Sequence, residues 1–318
     1  MLDNLIISAN SILPIFIIII LGYFLRRINL ITGAFLDVSD KLVFKCALPA
    51  MLFYNVATTD FMKAFNGRLT AFCVIGTLVI FLLMTVLITP AIKRRDVRGA
   101  VIQGIYRSNF AILGVPLAAN MFGDAGVTAA SLIIPFLIPV YNIFAVVILA
   151  MNMPEGKQSG LGLAWKITKN IITNPLIISV IIAIPFSLGY LSMPAVLDKT
   201  VSYLSELSTP LALLSLGASF RFADIRGNIS YSIFATVMKI AVCPLIFCTT
   251  AVLMGFRGVE LGIIFIAFGA PTAVSSYIMA RQMKSNSVVA SQIIVLTTLL
   301  CGVTMLIGST IMKNMGLF

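Results

Sequence analysis

The stretch Ser108–Gly123, SNFAILGVPLAANMFG, decides how this chain is read. It lies inside an apolar segment long enough to cross a membrane. Gly114 and Pro116 nevertheless stand at its middle, with the amide of Asn109 shortly before them. Proline removes a backbone donor and clashes with the carbonyl four residues back, and glycine loosens the same turn. In hydrocarbon every N–H and C=O must be paired, so irregular backbone survives only where it lines a protein cavity. The plainer alternative is a simple kink, because Pro and Gly are frequent in membrane helices.

The surrounding composition favours a membrane. Of 318 residues, 60% are hydrophobic and 10% charged, and the mean hydropathy is +1.08. A soluble domain carries about 25% charged residues. Barrel strands alternate over ~10-residue stretches, whereas a spanning helix needs about 20 mostly apolar residues. The apolar runs here are long and unbroken, which predicts an all-α integral membrane protein. Ten runs are read, at about 5–25, 38–57, 69–92, 99–121, 125–151, 167–189, 199–219, 229–254, 259–280 and 287–312. The longest polar interruption is MNMPEGKQSGLGLAWK, Met151–Lys166. The N-terminal stretch lacks a basic leader and a clear small-residue cleavage site, and its apolar run is too long for a secretory signal, so it is read as the first helix.

Charge predicts the topology. The net charge is +11, which in a soluble protein suggests nucleic acid but here reflects loop asymmetry; no nucleic-acid partner is expected. One set of alternating loops holds Arg26, Arg27, Lys93, Arg94, Arg95, Arg98, Lys157, Lys166, Lys169, Arg221, Arg226, Arg281 and Lys284. The other holds only Lys63, Arg68, Lys199, Arg257 and Lys313. Basic residues collect in cytoplasmic loops. A multi-pass plasma-membrane protein with both termini outside and the central linker in the cytoplasm is therefore expected. Lys41, Lys45, Arg107 and Lys239 fall within spans, where charge is costly. Lys41 is near a helix end and is read as snorkelling. Lys239 is near mid-depth, and Glu206, an acid well inside a span, is its candidate partner.

The two sides of the linker are related. Pro14 and Pro49 stand as far apart as Pro175 and Pro210, and at the same offset Leu36-Asp37 falls on Leu197-Asp198. LGVPLA, Leu113–Ala118, matches FGAPTA, Phe268–Ala273, with Gly and Pro in register. Five segments on each side is an odd number, so the second set inserts upside down. Residues 1–151 and 167–318 are thus read as two inverted five-helix repeats joined by the linker 152–166. Breaks at corresponding points of segments 4 and 9 predict two discontinuous helices that cross at mid-membrane. Their half-helix N-termini offer N–H groups and partial positive charge to an anion.

These motifs resemble the auxin efflux carrier family, which includes plant auxin exporters and bacterial malate or malonate permeases. The resemblance is carried by RSNFAILGVPLAANMFG (Arg107–Gly123), LPAMLF (Leu48–Phe53), NPLIIS (Asn174–Ser179), LSLG (Leu214–Gly217), APTAVSSYIMARQM (Ala270–Met283) and ASQIIVLTTLL (Ala290–Leu300), in family order along nearly the whole chain. It implies two inverted repeats with crossing helices 4 and 9, a scaffold and a transport domain, and elevator-like transport of organic anions; a homodimer through the scaffold domain would fit that fold. The implied substrate site holds Asn109, Gly114 and Pro116 at the first break and Gly269, Ala270 and Pro271 at the second, with Asn174 beside Pro175. Asn174 is equally readable as a helix cap. Ser275 and Ser276 are candidates just past the second break, and Arg107 is a candidate guide for anions. The long hydrophilic central loop of the plant members is missing, and the sole tryptophan, Trp165, lies in the linker. A small carboxylate is therefore expected in preference to auxin.

Other functions fit less well. The rival is a sodium-coupled organic-anion symporter of the bile-acid type, since carbonyls and hydroxyls can hold sodium; the coupling ion is read as either a proton or sodium. A cation–proton antiporter wants a carboxylate at the crossing, and none is there. A channel remains a weaker reading, which saturable flux argues against. Without histidine a Ser–His dyad or a histidine-ligated metal is impossible. No Walker motif or membrane aspartate pair is present. The five cysteines all lie in apolar runs without a Cys-x-x-Cys, so neither a disulfide nor a metal site is indicated. No enzyme activity and no cofactor are expected.

Overall fold

A computed structural model describes residues 2–58, 67–153, 161–220 and 228–317. Residues 154–160 of the 152–166 linker, and the basic residues Lys63, Lys157, Arg221 and Arg226, lie outside the described residues. Among the described residues the fold is helical throughout, with one isolated antiparallel bridge, Ser108 to Thr272.

The helices in order are α1 (Leu2–Arg27), α2 (Gly33–Leu42), α3 (Leu48–Ala57), α4 (Gly67–Ala91), α5 (Arg95–Tyr106), α6 (Val115–Met151), α7 (Leu161–Ile172), α8 (Pro175–Ser187), α9 (Ala195–Glu206), α10 (Ser208–Ser219), α11 (Ile229–Val237), α12 (Cys243–Leu253), α13 (Gly258–Gly269), α14 (Ser275–Gln282) and α15 (Ser287–Asn314). Several are apolar enough to cross a membrane: Gly67–Ala91, Phe110–Met151, Ile229–Leu253 and Ser287–Asn314 are also long enough. Their outward residues are hydrophobic, with Val86, Leu245 and Leu253 exposed. In water such a surface would aggregate; in lipid it is the solvated side.

Proline explains three wide turns. The π turns Val43–Ala47, Phe110–Gly114 and Met238–Val242 each stand two residues before a proline: Pro49, Pro116 and Pro244. A proline inside an α-helix leaves one carbonyl without a donor and presses its ring on another. A π turn shifts the pairing by one residue: the N–H of Leu48 donates to the Val43 carbonyl, and that of Cys243 to the Met238 carbonyl. The helix therefore passes the proline without breaking. This corrects the expectation for Gly114 and Pro116. They lie in continuous helix, and Gly114 is needed for space, since a Cβ there would meet the Phe110 ring at 2.8 Å.

The interruption lies earlier. α5 ends at Tyr106, and Arg107 is extended with φ −85° and ψ 118°. Helix resumes at Phe110 and bends again at Gly123, whose φ of 59° is the left-handed region that glycine favours. The partner helix α13 stops at Gly269, and Ala270 is extended, with φ −61° and ψ 151°. A Cβ on Gly269 would lie 2.8 Å from the Met305 methyl, the end of a flexible side chain that can withdraw.

Packing divides the helices into two groups. α1 runs along α10, and α3 along α8 and α9. A Cβ on Gly22 or Gly217 would overlap the carbonyl of Leu214 or Ile19, so only glycine allows the α1–α10 approach. The second group, α4–α6 with α11–α15, surrounds the interruptions. Stacked Phe247 and Phe268, with centroids 3.9 Å apart, seat α13 on α12.

Candidate functional site

The two interruptions meet. The Asn109 N–H donates to the Pro271 carbonyl at 2.7 Å, and the Ser108 hydroxyl donates to the Ala270 carbonyl at 3.1 Å. The Thr272 hydroxyl donates to the Gly104 carbonyl at 2.6 Å, and the Thr297 hydroxyl accepts from the Thr272 N–H at 3.1 Å. Backbone groups freed by the breaks are thus paired across the crossing, as a water-poor interior demands. Asn109 and Ser108 are buried, as are Thr272 and Thr297.

A cavity of about 50 Å³ lies on one side of the crossing. Phe110, Ala111 and Ile112, which open the second half of the first interrupted helix, line it. So do Ala273, Val274 and Ser275, which open α14. Two helix N-termini therefore face one space, and both bring partial positive charge to it. Arg107, Asn109, Tyr141 and Asn142 add polar side chains to the wall. Met51 of α3 and Ser208, Thr209 and Ala212 of α10 close it from the other group of helices.

Arg107 is the charge in this wall. It is 2% exposed, and its Nη2 donates to Asn142 Oδ1 and to Ser275 Oγ, both at 2.7 Å. Its other edge donates to the Met279 sulfur. Among the described residues no carboxylate pairs with it. A buried cation held by neutral dipoles favours an anion beside it.

The remaining candidates separate. Ser275 lines the cavity, and the Ala270 and Pro271 carbonyls are occupied by the crossing. Ser276 is buried, and its hydroxyl makes no hydrogen bond among the described residues. Gly114 and Pro116 lie off the cavity wall. Asn174 is buried elsewhere: it caps α8, its Oδ1 accepting from the Leu176 N–H at 3.0 Å. A cap before Pro175 satisfies a helix start locally, so Asn174 does not join the crossing. Lys239 and Glu206 are not partners either. The Lys239 ammonium donates to Ser108 Oγ at 2.8 Å, while Glu206 is exposed at the end of α9 and accepts from Ser202. A buried lysine finds its partner within its own group of helices, and Glu206 belongs to the other.

Tyr141, Asn142, Ser208, Thr209, Thr272 and Thr297 escaped the sequence reading. Asn142 carried a signal, being a lone amide inside an apolar run, where polar residues mark function or interhelical bonds. Ser208, Thr209, Thr272 and Thr297 are hydroxyls of the kind that commonly pair with their own backbone, and Tyr141 is of the kind that packs in cores, so nothing in their spacing marked them.

An all-helical membrane protein whose two broken helices pair across a buried, cation-bearing cavity belongs to the class of membrane transporters. The chain is a member of the auxin efflux carrier family, and residues 7–308 match the family described as membrane transport protein. It is 24% identical over 303 residues to an uncharacterized transporter of Methanocaldococcus jannaschii, covering 92% of this chain and 95% of that one. It is 24% identical over 299 residues to a putative malonate transporter of Rhizobium meliloti, covering 92% of each. Auxin efflux carrier component 3a of rice is 21% identical over 133 residues, 40% of this chain and 22% of that protein.

Proposed function

We propose that this protein is a secondary transporter for small organic anions, with carboxylates as the substrate class. The observation that carries the reading is the convergence on one buried cavity of two half-helix N-termini and the Arg107 guanidinium, which meets no carboxylate among the described residues. Helix termini and arginine forks are the groups that bind carboxylates without a counter-ion. Malonate, for which one relative is named, has this chemistry.

Ten spans in two inverted five-helix repeats complete the proposal. The interruption after Tyr106 in one half and after Gly269 in the other supports it. Alternating access by an elevator-like shift is supported by the position of the cavity, between α3 and α10 on one side and the crossing on the other. At about 50 Å³ the cavity is far smaller than ligand sites of ~300–1,000 Å³, so loading requires the two groups of helices to separate. The termini outside, the cytoplasmic linker and a dimer through α1–α3 and α7–α10 belong to the same proposal.

Uptake into proteoliposomes across a panel of mono- and dicarboxylates, under imposed proton, sodium and electrical gradients, tests it. Saturable carboxylate uptake is expected. Asn109→Ala is expected to lose most of the uptake while the purified protein stays monodisperse in detergent. Unchanged turnover in that variant removes Asn109 from the site, and a panel without a transported anion ends the reading.

A further inference from the structure

The crossing has a second pole beside the cavity, which Ser108 also lines. There the two first halves, α5 and α13, end, and the C-terminus of a helix carries partial negative charge. In transporters built on broken helices, unwound carbonyls and half-helix C-termini are where a coupling cation is held, while the N-termini take the anionic substrate. Lys239 reaches this pole. It sits in the π turn Met238–Val242, which packs on α5, α13 and α15. The turn precedes Pro244 and turns the lysine inward, where it is 1% exposed. Its ammonium donates to the Ser108 hydroxyl at 2.8 Å, and that hydroxyl donates to the Ala270 carbonyl at 3.1 Å. The positive charge is thereby relayed onto the freed carbonyl of the second broken helix.

Among the described residues no carboxylate pairs with Lys239. A buried ammonium without an acid partner is costly. Two helix C-termini and a polarised hydroxyl are the compensation on offer here. A small monovalent cation would want the same groups, oxygens at a hard, negative pole.

We infer that the Lys239 ammonium is a tethered cation that occupies the position of a dissociable coupling ion at the crossing. This deepens the anion-transport reading and rests on its view of the crossing as the transport site. Its consequence is that the protein needs no sodium, either to hold the crossing together or to drive uptake. The resident charge also sets the electrical balance of the site: with Arg107 and Lys239 both buried and neither paired to a carboxylate among the described residues, a doubly charged anion matches the crossing better than a singly charged one.

The test compares wild type, Lys239→Ser and Lys239→Arg, purified in detergent and titrated with sodium, lithium, potassium or choline chloride at constant ionic strength. Wild type and Lys239→Arg are expected to unfold at the same temperature in every salt. Lys239→Ser, which removes the charge and leaves room for an ion, is expected to gain at least ~3 °C in the small cation it admits over choline. A sodium-specific stabilisation of wild type overturns the inference. So does a Lys239→Ser protein indifferent to all four salts. Should Lys239→Ser not fold, wild-type uptake of labelled malonate and labelled acetate, with and without an inward sodium gradient, decides: acceleration by sodium refutes the tethered cation, and equal rates support it. The two readings fail separately. Cation responses as expected with no carboxylate taken up refute anion transport alone, whereas sodium-driven carboxylate uptake refutes the tethered cation alone.

Discussion

Arg107 illustrates how one residue acquires meaning from its surroundings. In the sequence it is a basic residue within an apolar run. In the fold it is buried in the wall of the crossing cavity, its fork divided between Asn142 and Ser275. A charge-assisted hydrogen bond contributes about 1.5–3 kcal/mol. Arg107→Gln is therefore expected to raise the half-saturation concentration for a transported carboxylate by roughly 10–100-fold, at 1.4 kcal/mol per decade. Arg107→Lys keeps the charge but not the fork, and is expected to fall between wild type and Arg107→Gln. Concentration-dependent uptake in proteoliposomes measures both. Equal half-saturation in all three proteins would remove Arg107 from the binding wall. Asn109 was legible as a buried amide beside a break, but not the use of its N–H: tertiary contact gives that group to Pro271.

The elements teach where a motif stops being informative. Gly114-x-Pro116 reads as a break, and the neighbouring chain does break, but at Arg107–Asn109. Proline states only that one donor is missing, and a π turn answers that need as well as an interruption does. Pro116→Ala is consequently expected to leave the crossing intact, with uptake within about threefold of wild type; a threefold change is under 1 kcal/mol. Gly217→Val has no such escape, because its Cβ would overlap the Ile19 carbonyl on α1. Overpacking of this kind costs about 1–3 kcal/mol or more, and a clear drop in thermal stability in detergent is expected. The loop that leads into α15 supplies a pH-dependent tie. Burial opposes ionisation of Asp96, but hydrogen bonds from Arg94 and Asn286 and the Arg94 charge outweigh it and hold its carboxyl below the usual range. A depressed native value means stability that is present above the unfolded value, about 3.9, and lost as pH falls through the native one. Asp96→Asn is thus expected to be less stable than wild type at pH 7. Thermal unfolding between pH 7 and pH 3 is expected to show that deficit shrinking in acid; a constant deficit would mean that the charge plays no part.

At the scale of the molecule, the two groups of helices meet at the cavity and again at an ionic contact. Arg281 in the last turn of α14 reaches Asp40 of α2 at 2.6 Å, Asp37 at 2.7 Å and the Tyr277 hydroxyl at 2.9 Å. Asp40 is fully buried, whereas the Asp37 side chain is 64% exposed. An exposed pair contributes about 0–1 kcal/mol, while leaving a buried group short of its partner costs about 1–3 kcal/mol. Asp40→Asn is expected to lower thermal stability clearly and Asp37→Asn hardly at all. Equal losses would show that burial does not distinguish the two acids.

The sequence by itself determined the helical class, the membrane as solvent and the family, because long apolar runs and Gly/Pro punctuation are properties of local chain chemistry. It also brought Asn109, Gly269 and Pro271 to notice, through the rule that freed backbone in lipid must be paired, and Ala270 through the resemblance to the family. Only the tertiary structure decided the point at which the first helix breaks, the use of Asn174 as a cap, the separation of Lys239 from Glu206, and the meeting of Arg107, Asn142 and Ser275. Those outcomes depend on which distant segment supplies the missing donor or acceptor. That choice is made by packing between helices far apart in the chain, and no spacing within a single segment encodes it.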